Sequence, residues 1–414
     1  RKLLRIAFPA PESTFDPPQT NSDYYSSTLI QQILESPLGY DYLARPVRLL
    51  PNTAAAMPEV SADGRSFTVR IRPGIFFQDD PAFKGQRREL VAEDYVYSIK
   101  RFYDPQYNSG DLYLYEQAKL PALSELRQKA LKERTPFDYD TPVEGVRALD
   151  RYTFRVTLGD DDPRFIYRFA DAQIMGAVAR EVVEFYGKDI GAHPVGTGAF
   201  RLKSWRRASR IELERSPSYR GTVYDGTPGD DPELQRIAAH LKGRTLPLVD
   251  AVQVDIVEED QPRWLSFLNG AYDFIAVPGT YIPLATPHGE LAPYLHKRGI
   301  RMQRQQQADM VMSYFYMEDP VVGGYTPEKV ALRRAIGLAQ DQRAYIRHVF
   351  GGSGMPAQST IPPFTSGYDP AYVSEMSTYD PARAKALLDL HGYVDRDGDG
   401  WSAELRIPLG QLRF

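Results

Sequence analysis

The 414-residue chain has no cysteine. That excludes disulfides, thiolate metal sites and cysteine nucleophiles; an oxidising compartment is tolerated but not required. No apolar run approaches the ~18 residues that a membrane-spanning helix needs. There is no excess of one charge either: 50 Lys and Arg against 54 Asp and Glu leave a net charge of −4. So even a balance does not point to nucleic acid or an anionic membrane surface as partner. Histidine is scarce, with six in all (His193, His240, His288, His296, His348 and His391). None pair at i, i+4, and none fall in a zinc-type pattern with spaced carboxylates. The chain opens at Arg1-Lys2-Leu3 with no signal peptide in front of it. Both a cytoplasmic protein and a mature chain trimmed of its export signal would begin this way.

Tyrosine, by contrast, is abundant, with 27 residues, and aromatics make up 12% of the chain. Tyrosine joins a large apolar face to a polar tip, which suits both packed cores and the walls of a wide, wet cleft. The hydrophobic content of 42% supports full-sized cores, and the length allows two or three domains.

The periodicities alternate between strand and helix, which predicts an α/β protein. Residues 5–8 read as a short strand. Pro9, Pro11, Pro17 and Pro18 then impose an extended, turn-rich path. Asn21, Ser22 and Asp23 are helix-capping types ahead of a helical stretch over 24–34. Phe67, Val69 and Ile71 alternate with polar residues as a half-buried strand that Pro73-Gly74 ends. Residues 90–101 read as a helix, acidic at its start and basic at its end. A mostly helical insertion is expected over 104–142, and a strand pair over 143–150 and 152–158. Residues 201–205 and 210–215 read as a hairpin, 249–256 as a strand, 262–270 as a helix, 271–277 as a returning strand and 309–317 as an extended segment. Pro327 and Pro381, each at a first-turn position, open two further helices.

Three motifs invite chemistry. Gly196-Thr197-Gly198 begins like a dinucleotide fingerprint, but Arg201 stands where the third glycine belongs, so the triplet reads as a turn that lets backbones approach closely. Gly351-Gly352-Ser353-Gly354 hints at a nucleophile elbow, but position 355 is Met355. Asp395, Asp397 and Asp399, with Gly400, match positions 1, 3, 5 and 6 of a calcium loop, while Arg406 replaces the bidentate Glu at position 12. Two readings stand there: an incomplete calcium site, or an acidic turn.

Several segments, taken in order, resemble one family. They are Ser61-Ala62-Asp63-Gly64-Arg65-Ser66-Phe67 with its strand, Pro194-Val195-Gly196-Thr197-Gly198-Ala199-Phe200, and Ser216-Pro217-Ser218-Tyr219. Leu332-Arg333-Arg334-Ala335-Ile336, Gly351-Gly352-Ser353-Gly354-Met355-Pro356-Ala357 and Tyr379-Asp380-Pro381-Ala382-Arg383-Ala384 follow. Together they resemble the family 5 extracellular solute-binding proteins, the peptide- and nickel-type receptors of ABC importers. The resemblance implies a type II periplasmic-binding-protein fold of two α/β lobes, with a subdomain inserted in the first. Lobe I would comprise 1–50 and 191–305, the inserted subdomain 51–190, and lobe II 306–414. Family members usually continue past residue 414, so the resemblance implies an incomplete second lobe, loosened from about residue 306.

The resemblance also implies a non-enzymatic periplasmic or extracellular receptor. It would capture a solute, foremost a short peptide, by hinge closure and pass it to ABC transporter permease subunits. Thr20, Asn21, Ser22, Asp23 and Tyr24 would contribute ligand contacts from lobe I, joined by Gly279, Thr280 and Tyr281. Tyr314, Phe315 and Tyr316 would contribute near the crossover, where family members often carry an Asn at the place of Tyr316. For residues 21–23 simple helix capping is an equal reading, and for Tyr314 and Tyr316 the packing of a hinge strand. Two other classes stay open: a two-lobed α/β enzyme with its site in the cleft, and the ligand-sensing domain of a regulator.

Overall fold

In a computed structural model the chain divides into two compact units, Arg1–Ile275 and Ala276–Phe414. The structure describes residues 2–304, 307–363 and 365–394. The calcium-loop candidates Asp395, Asp397 and Asp399 therefore lie outside the described residues.

The first unit opens with strand β1 (Leu3–Phe8). Helix α1 (Tyr24–Ile33) follows, and the Asp23 carboxylate caps it by accepting from the Tyr25 amide. Helical spacing turns Ser26, Leu29, Ile30 and Ile33 inward. A short hairpin joins β2 (Leu38–Tyr40) to β3 (Leu49–Pro51). Strands β4 (Glu59–Val60) and β5 (Ser66–Arg70) lead to helix α2 (Ala92–Tyr103). Helices α3 (Leu112–Glu116) and α4 (Leu123–Glu133) come next, then β6 (Val146–Asp150) and β7 (Thr153–Thr157). After α5 (Ala172–Met175), the hairpin of β8 (Phe200–Arg206) and β9 (Arg210–Arg215) leads on to the small pair β10 (Thr222–Val223) and β11 (Thr245–Leu246). Strand β12 (Ala251–Ile256) closes the series.

Two four-stranded sheets result. The main sheet has the order β1-β12-β9-β8, with β1 and β12 parallel and the other neighbours antiparallel. The second, β4-β5-β7-β6, is antiparallel and places Phe67 opposite Val156 and Val69 opposite Phe154. Their alternation is what the sequence shows: inward residues are buried and their neighbours are not. Phe8, Ile211, Leu213 and Val254 from the main sheet share one contiguous core with Phe67, Val69, Phe154 and Val156 from the second.

Two constraints fasten this unit. The first is an ion pair within the core region. Arg101 on α2 donates Nη1 to Asp16 Oδ1 at 2.7 Å and Nη2 to Oδ2 at 2.9 Å, and both side chains are 1% exposed. The second is the Gly196-Thr197-Gly198 turn, which presses on the end of α1. A Cβ on Gly196 would sit 2.0 Å from the Ile33 carbonyl oxygen, and one on Gly198 would meet the Gln32 and Ile33 carbonyls at 2.6 Å. Close approach, not phosphate binding, explains these glycines.

Two expectations, for residues 271–277 and 104–142, need correction. Residues 271–277 form no strand: a single parallel bridge joins Phe274 to Ile6. The Asp273 carboxylate takes the Arg5 amide at 2.8 Å and also binds the Arg5 guanidinium. A side chain thus satisfies the backbone donor that a ladder would have used. Residues 104–142 are helical only in pieces, Pro105–Tyr107, α3 and α4, with residues 135–142 irregular. Residues 309–317 join no sheet among the described residues.

The regular elements among the described residues of the second unit are helices, separated by long irregular stretches. Helices Pro327–Leu338 and Pro381–Leu390 pack Ala335, Leu338 and Ala384 together, with Leu387 and Leu388 against them. The Asp380 carboxylate caps the second of these by accepting from the Arg383 amide at 2.9 Å. Glu375 ties the two helices at their surface through Arg334 and Arg383.

Removing one member of a buried bidentate pair strands the other charge. Arg101→Ala is expected to cost roughly 3–5 kcal/mol, and Gly196→Ala about 1–3 kcal/mol from the forced shift at Ile33. Urea midpoints read both, and losses under about 0.5 kcal/mol, the range of neutral surface changes, would refute them.

Candidate ligand-contact loop

β1 and β12 end side by side, with Phe8 opposite Ile256. In open α/β sheets, ligands gather outside the carboxyl ends of parallel strands. The chain leaving β1 arcs through residues 9–23 and returns at the start of α1. There the Tyr25 ring lies 4.8 Å from that of Phe8. Tyr24 stands edge-on to Tyr25 at 5.3 Å and is 72% exposed. Burial raises the Tyr25 pKa, and nearby Arg263 opposes that rise.

The loop before Tyr24 is held by its own side chains. Thr20 is buried and donates its hydroxyl to the Pro17 carbonyl at 3.0 Å. Asn21 and Ser22 both adopt the left-handed region, with φ of 50° and 58°. Such geometry is costly for non-glycine residues and persists only where the surroundings enforce it. The enforcing contacts come from far along the chain. Asn21 Oδ1 accepts the Gly110 amide at 2.7 Å. Asp111 Oδ2 accepts the Ser22 amide at 3.0 Å, and its Oδ1 accepts the Ser22 hydroxyl.

Gln173 joins the two sides of this arrangement. Its Nε2 donates to Thr20 Oγ1 at 2.9 Å and to Asp111 Oδ2 at 3.0 Å, while its Oε1 accepts from Ser27 Oγ. Gln173 and Asp111 are both buried. Neither is a residue that the sequence singles out. Asp111 lies inside the stretch read as a helical insertion, and the only local signal at Gln173 is the Asp171 cap two residues before it.

Asp23 has a different set of partners. Besides the Tyr25 amide at 3.0 Å, it accepts the Ser13 amide at 2.9 Å, the Ser13 hydroxyl at 3.0 Å and the Ser26 hydroxyl at 2.5 Å. Burial pushes its pKa up, but the donors from Ser26, Ser13 and Tyr25 outweigh it and hold the carboxyl below the usual aspartate range.

Residues 20–24 thus form one connected group in the first unit. The other residues expected at a site belong to the second unit. Gly279, Thr280 and Tyr281 form a single 3-10 turn, in which the Tyr281 amide donates to the Pro278 carbonyl at 2.9 Å. Gly351, at φ +57°, packs directly on the Gly279 carbonyl, which accounts for a glycine there without any nucleophile elbow. Tyr314 is 87% exposed, Phe315 half-buried and Tyr316 exposed. The Tyr316 hydroxyl donates to Glu318 Oε2 at 2.6 Å, which raises the phenol pKa. A cavity of about 240 Å³ in the first unit touches none of these residues. It is lined by Gln78, Asp80, His193, Arg201 and Glu214 among others, and Arg201 is already paired with Glu214 at 2.7 Å.

The sequence profile described as "Bacterial extracellular solute-binding proteins, family 5 Middle" matches residues 48–410. The chain belongs to this family. Among curated relatives, the family 5 protein is 25% identical over 397 residues to the "Di/tripeptide-binding protein 2" of Pseudomonas aeruginosa, covering 94% of this chain and 63% of the relative. It is 24% identical over 376 residues to the "Dipeptide-binding protein" of Escherichia coli, covering 89% of this chain and 58% of the relative. Among solved structures it resembles the "ABC transporter-associated periplasmic binding protein DppA from Helicobacter pylori in complex with peptide STSA". That likeness has a TM-score of 0.64 and 19% identity, and covers 94% of this chain and 66% of the other. The fold is therefore the type II periplasmic-binding-protein fold, mixed α/β as the alternating pattern predicts. The chain spans 63% and 58% of the two curated relatives' lengths.

A carboxylate held below its ordinary pKa stabilises the fold above the unfolded-state value and loses that contribution as pH falls through the folded-state value. Asp23→Ala is expected to cost about 1 kcal/mol near pH 7, as for other caps. The gap should close as pH falls below the ordinary aspartate pKa of about 4. Paired urea titrations at neutral and acid pH measure this, and a gap of equal size at both would refute the assignment.

Proposed function

We propose that this family 5 protein is a receptor outside the cytoplasmic membrane that captures a short peptide and hands it to the permease subunits of an ABC importer. The observation that carries this reading is the family match across residues 48–410. Relatives named for di- and tripeptides support the choice of ligand, and a structural neighbour solved with a bound peptide and described as transporter-associated supports both ligand and partner.

The geometry of the loop fits capture without chemistry. Its hydroxyls at Ser13, Ser22 and Ser26 donate to the carboxylates of Asp23 and Asp111. A hydroxyl turned toward an aspartate and without an imidazole partner is not activated for attack. What remains open to a ligand is a large aromatic face, Tyr24, with its polar tip. A receptor of this kind works by hinge closure: the ligand binds the closed state more tightly and so shifts the equilibrium toward it.

Native mass spectrometry of the protein, purified without unfolding and then offered an equimolar library of unmodified dipeptides, tests the reading. Bound masses that fragment as intact short peptides are expected. Hydrolysed library members, a non-peptide adduct that survives the library, or no adduct at all would overturn it.

A further inference from the structure

We infer that the cavity beside strand β8 is a second ligand site, and that it takes a small organic cation, a primary ammonium group on a short carbon chain. The inference goes beyond the peptide-receptor reading and does not rest on it, since the cavity touches none of residues 20–24.

The cavity of about 240 Å³ lies where residues 78–80 and 192–195 meet the start of β8 and Glu214 on β9. Gln78 supplies the observation that points to a ligand. It is 8% exposed and fastens its stretch to the segment before β8. Its backbone amide donates to the Gly196 carbonyl at 2.9 Å, and its Nε2 donates to the Pro194 carbonyl at 3.1 Å. Those bonds account for the backbone and for one end of the side-chain amide. The other end, Oε1, is buried and has no donor among the described residues. A buried carbonyl oxygen without a donor is rare in folded proteins, because nothing offsets its desolvation. In a side chain that lines a cavity, such an oxygen calls for a donor brought by a ligand.

The charges decide which kind of donor. The cations that line the cavity are already neutralised: Arg201 pairs with Glu214 at 2.7 Å and Lys203 with Glu212 at 3.2 Å. Asp79 and Asp80 are not. Asp79 is exposed and has no hydrogen bond or ion pair among the described residues. Asp80 accepts only neutral donors, the Ala82 amide at 2.9 Å and the Tyr186 hydroxyl at 3.0 Å. The surplus charge is therefore negative and lies on the same stretch as Gln78. An anionic ligand meets repulsion there, whereas an ammonium group carries three donors and the complementary charge. A metal ion does not fit, because no three carboxylates or imidazoles converge among the described residues. The volume also exceeds that of a bare ammonium ion, which is close to a water molecule's share of about 30 Å³. Pro194, Val195 and Leu202 line the cavity as well and give a carbon chain an apolar surface to pack on.

The test titrates the full chain with 1,4-diaminobutane, and with 1,4-butanediol as its uncharged analogue. Proton NMR follows the ring signals of the six histidines. His193 lines the cavity, and its signal is the one absent from His193→Gln. A saturable shift of that signal is expected with the diamine, with a Kd of about 1 mM, within reach of a ligand of about six non-hydrogen atoms. The diol should leave it in place. Asp79→Asn alters an exposed side chain without partners, so it should keep the parent's melting temperature and bind the diamine about tenfold more weakly, the scale of one charge-assisted hydrogen bond. Gln78→Met should weaken binding in the same direction; if it does not fold, Asp79→Asn decides alone. The site is overturned if the diamine does not move the His193 signal, if the diol moves it equally, or if Asp79→Asn or a folded Gln78→Met binds as tightly as the parent. It is also overturned if an excess of a captured dipeptide abolishes the shift, which would place the diamine in the peptide site. A parent that captures no dipeptide fails the receptor reading, and the diamine titration still decides the cavity.

Discussion

The ion pair between Arg101 and Asp16 is the contact on which the arrangement of the first unit turns. Asp16 lies on the loop that leaves β1, and Arg101 lies on the helix that covers the second sheet, so the pair fixes one to the other. Taking two charges out of water is costly, and the bidentate geometry offsets much of that cost by satisfying both carboxylate oxygens at once. Asp16 Oδ2 also accepts Gln19 Nε2 at 2.6 Å, so the same carboxylate braces the turn just before Thr20. From there the polar contacts run through Thr20, Gln173 and Asp111 to Ser22 without a break. The exposed loop is therefore shaped by groups in the interior, not by the solvent that it faces.

Much of the fold can be read from the sequence, for reasons that differ by element. The strands at residues 66–70, 153–157, 200–206, 210–215 and 251–256 carry clear alternation, and one face of each sheet is buried, so pattern and structure agree. Helix 24–33 is found through Asp23, and helices 327–338 and 381–390 through their first-turn prolines, because capping and ring geometry are local effects. The failures are of another kind. At 271–277 the apolar run Phe274-Ile275-Ala276-Val277 suits a buried strand, yet the Asp273 carboxylate takes the Arg5 amide, which no sequence pattern records. In the insertion over 104–142, charge and tyrosine content read as helix, whereas turn chemistry at Pro105, Asn108 and Ala122 breaks it into pieces.

The candidate loop divides in the same way. Residues 20–24 can be picked out because polar capping types cluster ahead of an apolar helix. Their partners cannot be, because Gly110, Asp111 and Gln173 lie about ninety to one hundred and fifty positions away, and only the fold brings them together. The capping and ligand-contact readings of Asn21, Ser22 and Asp23 are also less opposed than the spacing suggests. Asp23 alone performs the capping. Asn21 and Ser22 have left-handed backbones bound to Gly110 and Asp111, and take no part in the cap.

Strand β8 is an outer strand of the main sheet, and an outer strand offers unpaired backbone groups to any other extended chain. Here the pairing with β9 slips between Leu202 and Ser204, and charged side chains crowd the same stretch, Arg201 and Lys203 in ion pairs with Glu214 and Glu212. An irregular, charged border makes a poor template for a second strand. This border of the sheet is thereby guarded against edge-to-edge joining with a second copy.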